Sequence, residues 1–355
     1  MCGIVSIINT DGCKIDGGPI REAIRIQRER GNGLGGGFAA YGIYPENTDK
    51  YAFHIMYSGD RHSPVIQQVE SYLESVTRVY KSEEIPVYPN KRIPRGPHFK
   101  RYFLKPLEEL IAEGSSEEDA IVEIVMTINK KNDAYVFSSG KNMGVFKGVG
   151  YPEDIADYFR IEDYTAYMWT AHNRFPTNTP GWWGGAHPLA ILDKAVVHNG
   201  EITSYGTNVR WLEMYGYLCL LQTDTEVISY IYDKLTRKDE LSPDDACFVM
   251  APSLWEEIDR CGDEKKRMLR QIYGPAVVNG PFGIVLTHER GAIVLNDRNK
   301  LRPVVCARRG STYYASSEEC SIRLLSPEVD EIWSPRGGEP VIVSLDSAVV
   351  SGEAW

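Results

Sequence analysis

A chain of 355 residues that is 43% hydrophobic and 25% charged can bury a large core, which sets aside disordered and fibrous classes. Its formal charge of −10 argues against a nucleic-acid surface and leaves room only for a local basic patch. Cysteines at 2, 13, 219, 247, 261, 306 and 320, with no CxxC pair, suit a reducing compartment and speak against a structural zinc or iron–sulfur site.

Residues 2–8, CGIVSII, read as a buried strand ended by the turn Asn9-Thr10-Asp11-Gly12. Cys2 opens it. With Met1 removed it would carry a thiol and a free α-amine, whose reference pKa values of about 8.5 and about 7.8 make both available near neutrality. This is related to nucleophiles activated by an N-terminal amine. Residues 19–30 fit a helix, with Pro19 in its first turn and Ile20, Ala23, Ile24 and Gln27 along one face. The run Gly31-Asn-Gly-Leu-Gly-Gly-Gly37 has neither GxGxxG nor GK[ST]. It therefore reads as a mobile loop near a ligand or a tight connection, ahead of a strand at 38–44.

A strand at 51–57 and a helix at 63–80 follow. Residues 85–105, rich in proline and carrying Lys91, Arg92, Arg95, Lys100, Arg101 and Lys105, read as a solvated loop, with partner docking as the alternative. An acidic helix at 108–119 and strands at 121–128 and 134–138 come next. Residues of about 60–160 thus form an insertion or subdomain within a single domain over 2–355. Beyond 165, strands at 166–171 and 194–198 flank polar, glycine-rich loops. Thr223 and Glu226 match a capping box before a helix running to Leu235. A helix at 253–272 and strands at 282–287, 291–295, 303–307, 312–316 and 341–345 complete an α+β pattern without internal repeats. The absence of a signal-peptide pattern or an 18-residue apolar run gives a cytoplasmic reading with no membrane contact.

Polar groups cluster at the ends of two of these strands. Arg174 offers a donor fork suited to a carboxylate, or a structural salt bridge. Asn199 and Gly200 could converge on an oxyanion, or simply make a turn. Asp224, at the first helical position, could hold a substrate ammonium or merely favour the helix start.

Taken in order, Cys2-Gly-Ile, His172-x-Arg174-Phe-x-Thr177-Asn178, Ala186-His187-Pro188, His198-Asn-Gly-Glu-Ile202, Thr223-Asp-Thr-Glu226 and Asp297-Arg-Asn-x-Leu-Arg-Pro303 resemble the class II glutamine amidotransferases. These are N-terminal-nucleophile hydrolases. The likeness is in particular to the glutaminase domain of glutamate synthase in its stand-alone archaeal-type form. It implies a four-layer αββα sandwich with two antiparallel sheets between helical layers. It also implies Cys2 as nucleophile, Asn199 and Gly200 as oxyanion pair, Arg174 on the α-carboxylate of glutamine and Asp224 on its α-ammonium. Thr177 and His187 sit in pocket motifs and are expected among the substrate-binding residues.

Two positions depart from the family pattern: Asn173-Arg-Phe-Pro176 replaces Thr-Arg-Phe-Ser, and Lys300 replaces a glycine. The resemblance implies no cofactor or metal in this chain, with flavin and iron–sulfur clusters on partner subunits. The implied partner is a glutamate synthase catalytic subunit, and a homo-oligomer is compatible. After residue 270 no phosphoribosyltransferase loop, sugar-isomerase repeat or ATP-pyrophosphatase motif is found. Two alternatives stand beside this reading: a subunit serving another acceptor, such as N-methylglutamate synthase, and a non-catalytic assembly subunit with the same fold.

Overall fold

The strand Gly3–Asn9 is apolar on both faces, and the fold is built around it. Val5 and Ile7 share a core with Ile20, Ala23 and Ile24 of the helix Gly18–Arg25, while Ile4 and Ile8 face a second sheet. A computed structural model describes residues 1–59, 61–111, 114–131, 133–177 and 179–345. Asn178, part of one quoted motif, lies outside the described residues.

Gly3–Asn9 sits fourth in a seven-stranded antiparallel sheet, in the order Glu331–Trp333, Val305–Arg309, Thr312–Ser316, Gly3–Asn9, Met168–Asn173, Gly36–Tyr41, Met143–Gly148. A five-stranded antiparallel sheet packs on it, in the order Leu189–Ile191, Lys194–Gly200, Phe282–His288, Gly291–Asn296, Val341–Ser344. Between them Ile4, Cys306 and Ala315 of the first meet Val197, Val285 and Val294 of the second. Helices Gly18–Arg25, Pro152–Phe159 and Glu319–Leu325 cover the larger sheet, and Tyr205–Glu213 with Glu226–Asp233 cover the smaller. This is the expected α+β, four-layer αββα arrangement. Beside it, a four-stranded sheet orders Thr77–Glu84, His98–Pro106, Tyr51–Tyr57 and Ala134–Ser138, backed by helices Pro64–Val76 and Glu117–Lys130.

Several expectations are corrected. Residues 121–128, taken as a strand for their Ile and Val content, are helical. The Ser116 hydroxyl accepts from Asp119 N–H and the Asp119 carboxylate accepts from Ser116 N–H, and this capping box starts Glu117–Lys130. Ile121, Val122, Ile124, Val125 and Ile128 then fall on one buried helical face. The helix expected at 108–119 shrinks to the turn Glu108–Leu110 before that box. The helix expected at 63–80 stops at Val76, where Thr77–Glu84 begins pairing with His98–Pro106.

That pairing also overturns the solvated-loop reading for 98–105, while 85–97, with Lys91, Arg92 and Arg95 exposed, is the expected loop. His98–Pro106 is an interior strand burying Tyr102, Phe103 and Leu104. Its cations are neutralised by neighbours: Arg101 Nε donates to Glu83 at 2.8 Å, and Lys100 pairs with Glu70. The expected helix 253–272 is split at Gly262, whose φ of +63° ends Trp255–Cys261, and Asp263 caps a second helix, Glu264–Ile272.

The glycines of 31–37 are explained by close approach. A Cβ on Gly31 would lie 1.8 Å from Asn173 Oδ1, and one on Gly35 2.9 Å from Arg174 Cδ. Gly36 and Gly37 already belong to the strand Gly36–Tyr41. Lys300 holds a φ of +52°, the left-handed conformation that a glycine at this position would adopt without strain. The preceding Asp297 is fully used by the backbone, accepting from the N–H groups of Phe282, Asn299 and Leu301 at 3.1, 3.0 and 2.9 Å.

Candidate active site

Side chains alternate across a strand, so Cys2 shares the inter-sheet face with Ile4 and lies at the open end of that layer. Its neighbours are fixed from below. A Cβ on Gly3 would lie 2.8 Å from Gln27 Oε1, and Gln27 Nε2 donates to Ser316 and Ser321 at 2.8 and 2.7 Å. Arg30, paired with Glu318, donates from Nε to the Cys2 carbonyl at 2.9 Å. The Cys2 sulfur accepts from the Phe175 N–H at 3.3 Å. Burial pushes the thiol up from its usual range, and the Phe175 N–H, the N-terminal ammonium and Arg174 pull the other way.

The facing strand Lys194–Gly200 ends in Asn199 and Gly200. Asn199 is 1% exposed, and its Nδ2 has no hydrogen-bond partner. Gly200, at φ +152°, admits no side chain, because a Cβ would meet the Pro281 carbonyl at 1.9 Å. Arg174 follows the strand Met168–Asn173 and is buried, its guanidinium held by the Pro180 carbonyl at 3.1 Å and the Thr179 hydroxyl at 2.7 Å. Asp224 is half-buried and accepts from Ile202 N–H at 2.7 Å.

The capping-box expectation for Thr223 and Glu226 is corrected. The helix starts at Glu226, two residues past Asp224, and Thr225 precedes it without a side-chain cap. Glu226 turns inward instead and accepts from Leu221 N–H at 2.9 Å and Tyr230 OH at 2.8 Å; burial raises its carboxyl to about 7.

Thr223 has a different partner, the end of a histidine row that the sequence did not reveal. His172 Nε2 donates to the His198 carbonyl at 2.8 Å, which joins the two sheets directly behind Asn199. That proton leaves His187 Nδ1, 3.1 Å away, as an acceptor, so the His187 proton sits on Nε2 and reaches the Thr223 hydroxyl at 3.3 Å. His198 Nδ1 lies 2.9 Å from the Thr225 hydroxyl. His187, expected among the substrate-binding residues, therefore has both nitrogens engaged by protein. Thr177 donates to Glu201 at 2.9 Å, so its hydroxyl too has a protein partner. Trp182 and Trp183 are packed: Trp182 donates to the Leu221 carbonyl at 3.0 Å, and Trp183 lies against Phe99 and Tyr158.

Desolvation holds these histidines neutral, with His172 down at about 3 and His187 and His198 also below the usual imidazole range. His54, in the side sheet, is likewise at about 3. Unfolded, each titrates near about 6.5. Between about pH 6.5 and about pH 3 the unfolded chain binds protons that the folded chain refuses. Stability therefore falls on acidification through that window, by up to about 1.4 kcal/mol per pH unit for each histidine. Urea midpoints should hold near neutrality and drop steeply from about pH 6.5 to 5. His54→Gln, far from Cys2, should remove one histidine's share of that slope. A midpoint that stays flat down to pH 5 would contradict neutral, buried histidines.

Cys2, Arg174, Thr177, His187, Gly200 and Asp224 line one pocket of about 30 Å³. A larger cavity of about 490 Å³ opens at the far end of Lys194–Gly200, but its buried cations are already paired: Lys194 with Asp193 and Asp233, Arg237 with Asp233 and Asp119. Among the described residues no cluster of His, Cys, Asp and Glu could hold a metal ion, and no helix is long and apolar enough to cross a membrane.

Comparison with known proteins bears on this site. A family model described as "Glutamine amidotransferases class-II" matches residues 118–351. The chain belongs to the class-II glutamine amidotransferases. An uncharacterized protein of Archaeoglobus fulgidus is 49% identical over 351 residues, 98% of this chain and 93% of the other. A putative glutamine amidotransferase of Methanothermobacter thermautotrophicus is 26% identical over 340 residues, 94% and 97% of the two chains. The glutamate synthase [NADPH] large chain of Bacillus subtilis is 26% identical over 210 residues, 53% of this chain and 13% of that protein.

In this class-II amidotransferase chain the sequence picked out Cys2, Arg174, Thr177, His187, Gly200 and Asp224 of the pocket lining. It gave no site role to Thr179, Glu201 and Thr223, which line the same pocket, nor to His172 and buried Lys147 behind them. Lys147 donates to the Gly184 carbonyl at 2.9 Å, and burial lowers its ammonium to about 7. His172, Glu201 and Thr223 gave a sequence signal, as members of quoted motifs.

Proposed function

We propose that this chain hydrolyses the side-chain amide of glutamine through a Cys2 thioester and delivers the ammonia to a glutamate synthase partner. The observation that carries the first half is the juxtaposition of one thiol, one guanidinium and one carboxylate in a single small pocket: Cys2, Arg174 and Asp224. Arg174 would grip the α-carboxylate of the substrate and Asp224 its α-ammonium, which leaves the side-chain amide for Cys2. The pocket holds about 30 Å³, the volume of about one water. Glutamine therefore enters with displacement of the segment that carries Phe175, Thr177 and Thr179.

The Cys2 thiolate attacks the amide carbon, and the Cys2 α-amine, free once Met1 is removed, takes up the thiol proton. Asn199 Nδ2 and the Gly200 N–H stabilise the tetrahedral oxyanion. The α-ammonium returns the proton to the nitrogen, the C–N bond breaks and ammonia leaves. Water, deprotonated by the same amine, attacks the thioester carbon, releasing glutamate and restoring the thiol.

Glutamate synthase as acceptor is supported by the likeness to the Bacillus subtilis large chain. The deciding assay measures glutamate and free ammonia from glutamine alone, then with a glutamate synthase catalytic subunit and 2-oxoglutarate. The expected result is a low basal rate, raised by the partner, with ammonia retained. High uncoupled turnover that no partner changes would replace this reading with an independent glutaminase.

Arg174→Lys tests the substrate clamp. It keeps the charge but loses the planar fork, so KM for glutamine should rise by roughly 10- to 100-fold. Asp224→Asn should weaken glutamine in the same direction. An unchanged kcat/KM in either variant removes that residue from the clamp.

A further inference from the structure

Facing the inter-sheet layer, the five-stranded sheet presents rungs of directly opposed residues. One rung is Val197, Val285 and Val294, packed on Ile4 and Ala315. Two residues nearer Cys2, the next rung is Asn199, Gly283 and Asn296. Asparagine at the end of an apolar layer needs partners, and these have few. Asn296 is 0% exposed, and neither its Nδ2 nor its Oδ1 has a hydrogen-bond partner; Asn199 Nδ2 and Arg302 Nε also have none.

The glycine between the two asparagines lets neighbouring side chains close over the strand. A Cβ on Gly283 would lie 3.3 Å from Asn296 Oδ1 and 2.7 Å from Val304 Cγ2, so the Asn296 carboxamide leans over the glycine toward Asn199. Arg302 borders the same spot, its Cβ 3.7 Å from that position. Asn199 and Asn296 stand two strand spacings apart, about 9.6 Å, a span that two carboxamides and one water fill. A buried water needs two to four polar partners, and this slot offers three.

We propose that Asn296 is a positioning residue for the oxyanion donor. One water over Gly283 accepts from Asn199 Nδ2 and Arg302 Nε and donates to Asn296 Oδ1. One hydrogen of Asn199 Nδ2 is thereby fixed, and the second is aimed at the reacting carbonyl held by Cys2. The proposal rests on the reading of Asn199 as oxyanion donor.

The test compares Met1-free protein with Asn296→Ala, Asn199→Ala and the double variant in glutamine hydrolysis. Asn296→Ala should lower kcat by about 10-fold with KM for glutamine unchanged, since it misdirects a donor without touching substrate. Asn199→Ala should lose on the order of 10²–10³ in kcat. Because Asn296 acts only through Asn199, the double variant should be no slower than Asn199→Ala alone. Losses that multiply, or a fully active Asn296→Ala beside an impaired Asn199→Ala, overturn the positioning role and leave the glutaminase reading intact. Full activity in Asn199→Ala overturns the oxyanion reading and the positioning role together. A crystal structure of the unsubstituted protein gives an independent answer should Asn296→Ala fail to fold. A water bonded to both Asn199 and Asn296 over Gly283 supports the proposal, and a slot without one overturns it.

Discussion

Cys2→Ala is expected to abolish glutamine hydrolysis, a loss on the order of 10⁵-fold or more, with little change in thermal stability. The sulfur's hydrogen bonds are with the Phe175 N–H at 3.3 Å and the Phe175 carbonyl at 4.0 Å, outside the sheet ladders, so its removal leaves the sheets intact. Covalent labelling sharpens the test. Burial pushes the thiols of Cys2, Cys247 and Cys306 up, whereas Cys13, Cys261 and Cys320 are exposed. A general alkylating reagent should therefore react first at the exposed cysteines. An electrophilic glutamine analogue should reverse that order, because Arg174 and Asp224 would deliver it to Cys2. Peptide mapping that finds the analogue spread over the exposed cysteines, or full turnover in Cys2→Ala, would end the thioester mechanism.

Retention of Met1 is expected to be comparably severe, costing on the order of 10³-fold or more. With Met1 in place the Cys2 nitrogen is an amide and cannot take a proton; the Met1 side chain itself lies beside Arg302, its sulfur 3.1 Å from Nη1. The comparison is between protein with an uncleavable N-terminal extension and protein whose intact mass shows Met1 lost. Equal rates would remove the α-amine from the mechanism while leaving Cys2 as nucleophile.

The sequence by itself determined what depends on neighbours along the chain. A strand apolar on both faces, CGIVSII, can only be interior, and the structure places it at the centre of the larger sheet. Gly200 stood out beside Asn199 as a close-approach or turn position, and the Pro281 carbonyl at 1.9 Å from its missing Cβ shows the close approach. The order of the motifs along the chain pointed to the family. Sequence reading failed in two ways: a local cap went unread, and partners distant along the chain overrode local pattern. Ile- and Val-rich residues 121–128 became helix because Ser116 and Asp119 cap them and the side sheet buries one helical face. The basic segment around Arg101 became an interior strand because Glu83 and Glu70, distant in sequence, neutralise it.

The site divides in the same way. Residue type alone pointed to Cys2, Arg174, Asn199 and Asp224, since a thiol, a donor fork, an amide and a carboxylate each advertise a chemistry. Only the tertiary structure decided that Cys2, Arg174 and Asp224 share one pocket, with Asn199 buried next to Gly200, which lines it. It alone joined Thr223, His187, His172 and the His198 carbonyl into a row across two sheets, and set Asn296 opposite Asn199 over Gly283. Strand register and sheet packing fix such contacts, and neither is written in the local sequence around any one of these residues.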